Sequence, residues 1–459
     1  MKFMKNQLLL AFGALSWVLN FTVADQQKCD KDNKCPESAP CCSQYGVCGN
    51  GTTCLGGCDP RYSYRMDACM PMPIMRDLET QFGDKDILQK QEKYLGNATE
   101  YDWLYTGHVD THDDALLLQM PPKSTASVIS STKYLWYGKI SAALKSSRGD
   151  GVITAFILYS DIKDEIDYEF VGNDLKKPQT NYYWQGILNY TNAKGVDTPN
   201  TFDDYHLYEI DWHEDHIDWF VDHKKLRTLN KNETYNSTTK KYHYPQTPSR
   251  IQFSLWPAGD SSSKGTQEWA GGKVDWDSED IKKTGYYYAF LKNISVTPYG
   301  LPLHLQVYTN NTDSYNKSAK YDAFQFNSTD GLSSDIYLSN KKTYLGKENA
   351  NGLHPDNKDK KSSSSLASAS ALKSSASSSS KTSGSGSKGN SNSGSKGEGG
   401  KGSSGSSGGN SGGSGFSQGG KDSSSSSTSK SSSTPFSANI PSISFALSFL
   451  CLSYLVIFP

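Results

Sequence analysis

Val152-Ile153-Thr154-Ala155-Phe156-Ile157-Leu158, followed shortly by Asp164-Glu165-Ile166-Asp167-Tyr168-Glu169-Phe170, decides the fold. The first run is nearly continuous in apolar residues and of strand length, the pattern of a strand buried on both faces. In the second, alternate side chains point to opposite faces, so Glu165, Asp167 and Glu169 share one while Ile166, Tyr168 and Phe170 share the other. Three acids at a spacing of about 7 Å repel one another, and a solvated strand would mix its charges. Retaining glycoside chemistry has a use for such crowding. One carboxylate attacks the sugar while a second stays protonated to release the leaving oxygen. A neighbouring negative charge keeps that second acid protonated near neutral pH.

Working outward, Tyr205 to Trp212 and Ile217 to Asp222 read as strands joined by His213-Glu214-Asp215-His216, and Arg250 to Trp256 as another. No segment of twelve or more residues shows helical periodicity. The pattern predicts an all-β body, one large sandwich whose sheets curve enough to leave a groove. Curvature is required. Residues i and i+4 lie about 13 Å apart on a straight strand, whereas retaining carboxyls lie about 5 Å apart. Glu165 and Glu169 therefore have to lean inward over the shorter Asp167.

Sugar rings stack on Trp and Tyr. Tyr182, Tyr183 and Trp184 lie just downstream of the acids, and Trp256-Pro257-Ala258-Gly259 and Trp269-Ala270-Gly271-Gly272 read as loops with exposed indoles. Trp212, Trp219 and Trp276 read as core. His213, Glu214 and His216 lack the His-Glu-X-X-His spacing of a zinc helix and read as a solvated turn. No metal ligand set, phosphate loop or nucleophilic Ser or Cys constellation stands out.

The flanks differ in kind. Residues 1–24, with Lys2 and Lys5 before an apolar stretch, predict a cleaved export signal. Residues 71–345 form the body. Residues 361–435 are almost all Ser, Gly and Lys and predict an extended stalk. Residues 436–459 end in an apolar tail after small serines, the pattern of a GPI-attachment signal with Ser432 or a near neighbour as the site. Eight cysteines (Cys29, Cys35, Cys41, Cys42, Cys48, Cys54, Cys58 and Cys69) fall within residues 25–70 and predict a disulfide framework. Sequons at Asn50, Asn97, Asn189, Asn232, Asn236, Asn293, Asn310, Asn316 and Asn327 predict a secreted glycoprotein. The chain totals −1; residues 361–435 hold eight Lys against two acids, +6, so the remainder carries −7. An acidic body argues against nucleic acid as a partner.

The string 164–174, with Gln179-Thr180-Asn181 and Gly186, resembles glycoside hydrolase family sixteen, and Trp256 to Gly259 with Trp269 to Gly272 resembles its fungal Crh branch, the cell-wall chitin transglycosylases. The resemblance covers roughly residues 70–300. It implies a concanavalin-like β-jelly-roll, with Glu165 as nucleophile, Asp167 as helper and Glu169 as acid/base. Gln179, Asn181, Trp184, Trp256 and Trp269 would line the sugar sites. Cys41-Cys42-Ser43-Gln44-Tyr45-Gly46-Val47-Cys48-Gly49 resembles hevein, which implies chitin contacts at Ser43 and Tyr45. Val47 and Thr53 stand where hevein modules carry two further rings, so targeting to chitin and a stapled cap on the enzyme are both open. Chitin and β-glucan are the implied partners, with a GPI lipid holding the protein outside the cell, at the wall and outer membrane face. No cofactor is needed. Pure hydrolysis, as a β-glucanase or chitinase, and a non-catalytic wall lectin on the same fold remain the competing readings.

Overall fold

A computed structural model describes residues 27–302, 304–305 and 321–356. The export signal, the stalk, the attachment signal with Ser432, and the sequons Asn310 and Asn316 lie outside the described residues. Within them the chain forms the expected all-β sandwich with a small disulfide-rich amino-terminal module.

Val152–Ser160 and Glu165–Val171 pair antiparallel at the centre of one eight-stranded sheet. Outward from Glu165–Val171 lie Gln179–Tyr183 and Lys194–Gly195. On the other side come Ser249–Pro257, Ser127–Ser131, Trp103–Thr106 and Leu88–Lys90, the last pair parallel. The second sheet also has eight strands, with Gly138–Lys145 between His206–Trp212 and Tyr287–Pro298. His206–Trp212 and His216–Val221 form the expected hairpin, and its turn stacks His213 on His216 at 4.4 Å.

The inner faces supply the core. Phe156 stacks on Phe253 at 4.8 Å, and Phe170 meets Tyr208 edge-on at 4.7 Å. Tyr168, buried among them, donates its hydroxyl to Phe220 O at 2.8 Å, so its one polar atom is satisfied. Trp212 and Trp219 are fully buried. Each such ring contributes about 1.5–3 kcal/mol on leaving water. Val152–Ser160 is buried at every residue as far as Phe156, but Ile157 and Tyr159 are half-exposed. Burial on both faces therefore holds for its first half only, because Ile157 and Tyr159 lie on the face that carries the acids, beside Asp167 and Glu165.

In the module, the eight cysteines form Cys29–Cys42, Cys35–Cys48, Cys41–Cys54 and Cys58–Cys69. The module also shares apolar packing with the body: Cys41, Leu55 and Met70 pack with Tyr94, Leu104, Leu345 and Ala350. The last two residues come from a segment that runs past residue 345. Gly51 N–H donates to Ala350 O at 2.8 Å and Gly352 N–H to Ala68 O at 2.8 Å. Asn351 Nδ2 donates to Asn50 Oδ1 at 2.9 Å. The folded part thus extends beyond the expected boundary at 345, because those residues cover the module.

Candidate active site

The strand register sets the acids in three parallel rows across the sheet. Tyr183, Glu165, Tyr159 and Arg250 make one row; Asn181, Asp167, Ile157 and Gln252 the next; Gln179, Glu169, Ala155 and Ser254 the third. All three acids lie on the face opposite the aromatic core, as alternation requires. Glu165 and Glu169 are half-buried, whereas Asp167 between them is 1 % exposed. Neither carboxyl oxygen of Asp167 has a hydrogen-bond partner.

Burial is the first cause that holds all three carboxyls above their ordinary range. Glu169 adds repulsion at Glu165, and both glutamates add it at Asp167. Arg227, by its charge, opposes this at Asp167. It comes from Lys224–Asn230 in the other sheet and donates to Thr180 O at 2.6 Å and Asn192 O at 2.8 Å. Its guanidinium lies 4.6 Å over the Trp219 ring, whose Nε1–H donates to Asp167 O at 3.2 Å. A chemical consequence follows. The cluster does not carry three negative charges near neutral pH, so protons and carboxylates coexist on one short row.

Asp164 is not part of that row. It is fully buried and accepts from Gln185 N, Gln246 N and Thr247 Oγ1 at 2.7–2.9 Å. These donors moor the turn that delivers the acid strand.

At the Glu169 end, Trp269 Nε1 donates to Gln179 Oε1 at 3.0 Å, and the Trp256 and Trp269 rings lie stacked with centroids 6.2 Å apart. Both indoles are half-buried, with one side packed on Ile153, Val171, Ala258 and Ala270. Trp256 closes the expected strand, within Ser249–Pro257, rather than opening a loop, and Trp269, expected in a loop, ends the helix Lys264–Trp269. Gly271, at φ +88, is the turn that follows, where a Cβ would come 1.8 Å from Asn173 Nδ2. Asn181 is 3 % exposed and stands opposite Asp167. Trp184 is placed otherwise than expected. It is 6 % exposed and stacked on His243 at 4.3 Å, so it offers no face to a sugar in the groove. One residue past Tyr183, it falls on the other side of the strand's alternation. Trp276 is half-buried against the core and donates to Asp260.

Ser43 and Tyr45 lie in the module, both half-buried. Gln44, between them, accepts from Arg250 Nη2 at 3.0 Å. Sequence reasoning did not find Arg227, Arg250 or this contact. Among the sequons, Asn189, Asn232 and Asn327 are exposed and Asn50, Asn97, Asn236 and Asn293 are half-buried.

A β-sandwich with three carboxylates in the open face of one sheet, flanked by indoles, defines a glycosidase-type enzyme of carbohydrate polymers. Residues 97–277 match the family Glycosyl hydrolases family 16. Crh-like protein UTR2 of Candida albicans is 55 % identical over 352 residues, 75 % of this chain and 74 % of its own. Crh-like protein 2 of Aspergillus fumigatus is 47 % identical over 355 residues, 76 % of this chain and 77 % of its own. The chain belongs to glycosyl hydrolase family 16, among its Crh-like proteins. Among solved structures, an apo Crh5 transglycosylase aligns with 61 % of this chain and 100 % of its own, at 24 % identity and a TM-score of 0.48.

Proposed function

We propose that this protein is a retaining transglycosylase of the cell wall, which cuts a chitin chain at a β-1,4 bond and passes it to a β-glucan hydroxyl. The observation that supports it is the set of Glu165, Asp167 and Glu169 along one face of a single strand, with a mixture of protons and charges held there by burial. Glu169 gives its proton to the glycosidic oxygen as Glu165 attacks the anomeric carbon, forming a glycosyl ester and freeing the leaving chain. Glu169, now a carboxylate, takes the proton of the incoming hydroxyl as that oxygen displaces Glu165. Asp167, between the two glutamates on the same face of the strand, is the helper that orients and tunes Glu165.

Gln179, Asn181, Trp256 and Trp269 position sugar residues, and the module contributes Ser43 and Tyr45. In the same reading, residues 1–24 direct export, a lipid joins at or near Ser432, and the enzyme works at the wall and outer membrane face.

The test mixes purified residues 25–360 with chitin oligomers and a fluorescent β-glucan oligosaccharide. Labelled products longer than the acceptor are expected, with at least about a thousandfold loss in Glu165→Gln and in Glu169→Gln. Shortened donor without labelled product would make the protein a hydrolase. No turnover at all would leave the fold as a wall lectin.

A further inference from the structure

A cleft of about 580 Å³ lies between the cysteine module and a three-stranded sheet of the body. That sheet is the hairpin Ala323–Phe326 and Ile336–Ser339, with Met72–Pro73 paired on its edge. The volume falls in the range of about 300–1,000 Å³ that small ligands occupy. Pro60 and Met66 line the cleft from the module, Gln325 and Tyr337 from the hairpin. Asp161, in the turn between Val152–Ser160 and Glu165–Val171, is also in its wall. So are Asn327 and Thr329, the first and last residues of one sequon.

The hairpin register sets where that asparagine stands. Gln325 is opposite Tyr337, and Asn327, two residues on, continues the ladder by donating its N–H to Asp335 O at 2.8 Å. Alternation puts Gln325, Asn327 and Tyr337 on one face. The loop after Asn327 is moored to the body: Gln185 Nε2 donates to Asp330 O at 2.8 Å and Gly331 O at 2.9 Å. Asn327 itself is exposed, within reach of a modifying enzyme. Gln325 Oε1 accepts from the Tyr337 hydroxyl at 3.0 Å and Ser339 Oγ at 2.8 Å, which leaves its two N–H donors without a partner among the described residues. The Tyr337 ring is half-buried. An aromatic ring and an amide donor, the two groups that hold a sugar, therefore share the face that carries Asn327.

We propose that an N-linked glycan on Asn327 folds back into this cleft, its first rings on Tyr337 and Gln325 and the next against Pro60 and Met66, and so clamps the module to the catalytic sandwich. The modification joins Asn327 Nδ2 to an anomeric carbon; the amide loses a proton as the donor's bond to a lipid pyrophosphate breaks. Attachment at the lip makes the contact intramolecular, at an effective concentration of about millimolar, so a weak sugar site suffices. The clamp is independent of the transglycosylase reading.

The test uses secreted full-length protein, and mass spectrometry first reads whether Asn327 carries a glycan. An endoglycosidase that cuts between the two N-acetylglucosamine rings of the stem then measures its burial. Release from Asn327 is expected to be at least about tenfold slower in the folded protein than after denaturation, and Tyr337→Ala to remove most of that protection. Backbone amide exchange is the second readout. Asn327→Gln and Thr329→Ala both abolish the sequon and should speed exchange in residues 58–70 and 323–339 about tenfold, whereas Thr329→Ser keeps it and should match wild type. The comparison of folded with denatured protein needs no variant, so it stands if a substitution disturbs folding. A bare Asn327, equal release from folded and denatured protein, resistance unchanged in Tyr337→Ala, or wild-type exchange in both sequon variants overturns the inference.

Discussion

At the scale of single residues, the decisive property is where protons sit. Glu169 is held protonated up to about pH 7 by burial. With Glu169 as the acid and Glu165, pushed up to about 8, as the nucleophile, kcat/KM should rise towards pH 7 and fall as pH rises through about 8, and a pH profile of donor cleavage checks this; a rate flat to pH 9 would count against Glu169. Stability follows the same groups. Glu165 and Glu169, with ordinary values of 4.5, bind protons more tightly when folded than unfolded. Their contribution is therefore fully present below about pH 4 and is lost as pH rises through 7 to 8. Glu165→Gln removes one such charge, so it should melt with wild type at pH 4 and about 3 °C higher at pH 8. A pH-independent gap would mean that the carboxylate is not strained in the fold. The acids were legible in the sequence because alternation and side-chain chemistry are local properties. Arg227 was not, since its partners Thr180 and Asn192 lie 47 and 35 residues away.

At the scale of elements, the end of a strand is where sequence reading fails. Trp184 is one position beyond Gln179–Tyr183, and a one-residue change of parity moves a ring from groove to interior. Trp256 looks like a loop residue because Pro257 and Gly259 follow it, yet it keeps its place in the ladder opposite Ile153. Proline is tolerated there as the last residue of its strand. The short helix Lys264–Trp269 carries Trp269 back over that strand end, and its Gln179 bond fixes the ring beside Glu169. Trp269→Phe keeps an aromatic face and loses that bond. It should raise KM severalfold with little change in kcat, while Trp269→Ala should raise KM about tenfold or more. Steady-state kinetics on one oligomer separates the two effects. Equal KM values for both variants would show that the ring counts only when moored, and a wild-type KM in Trp269→Phe that the ring, and not its mooring, is what the sugar needs.

At the scale of the whole molecule, the eight clustered cysteines announced a stapled module, but nothing local announced what it leans on. Arg250, Asp161 and Tyr134 of the body are covered by Gly56 and Gly57. Deleting residues 25–70 would open a buried cation, a buried acid and the apolar patch around Tyr94 and Leu104 to water. The truncated body is expected to lose its cooperative thermal transition or to melt at least about 10 °C lower, from several kcal/mol of lost burial and pairing. Calorimetry decides; an unchanged midpoint would make the module a passenger.

Asn50 and Asn351 touch across 301 residues of chain. During synthesis the amino-terminal module emerges before the sandwich, but Leu345, Ala350 and Gly352, which close over it, emerge after it. Its cysteines are ready to pair long before its last backbone partners exist. The module is thus begun before the sandwich and finished after it, and its native packing certifies that the whole catalytic sandwich between those two segments has been made.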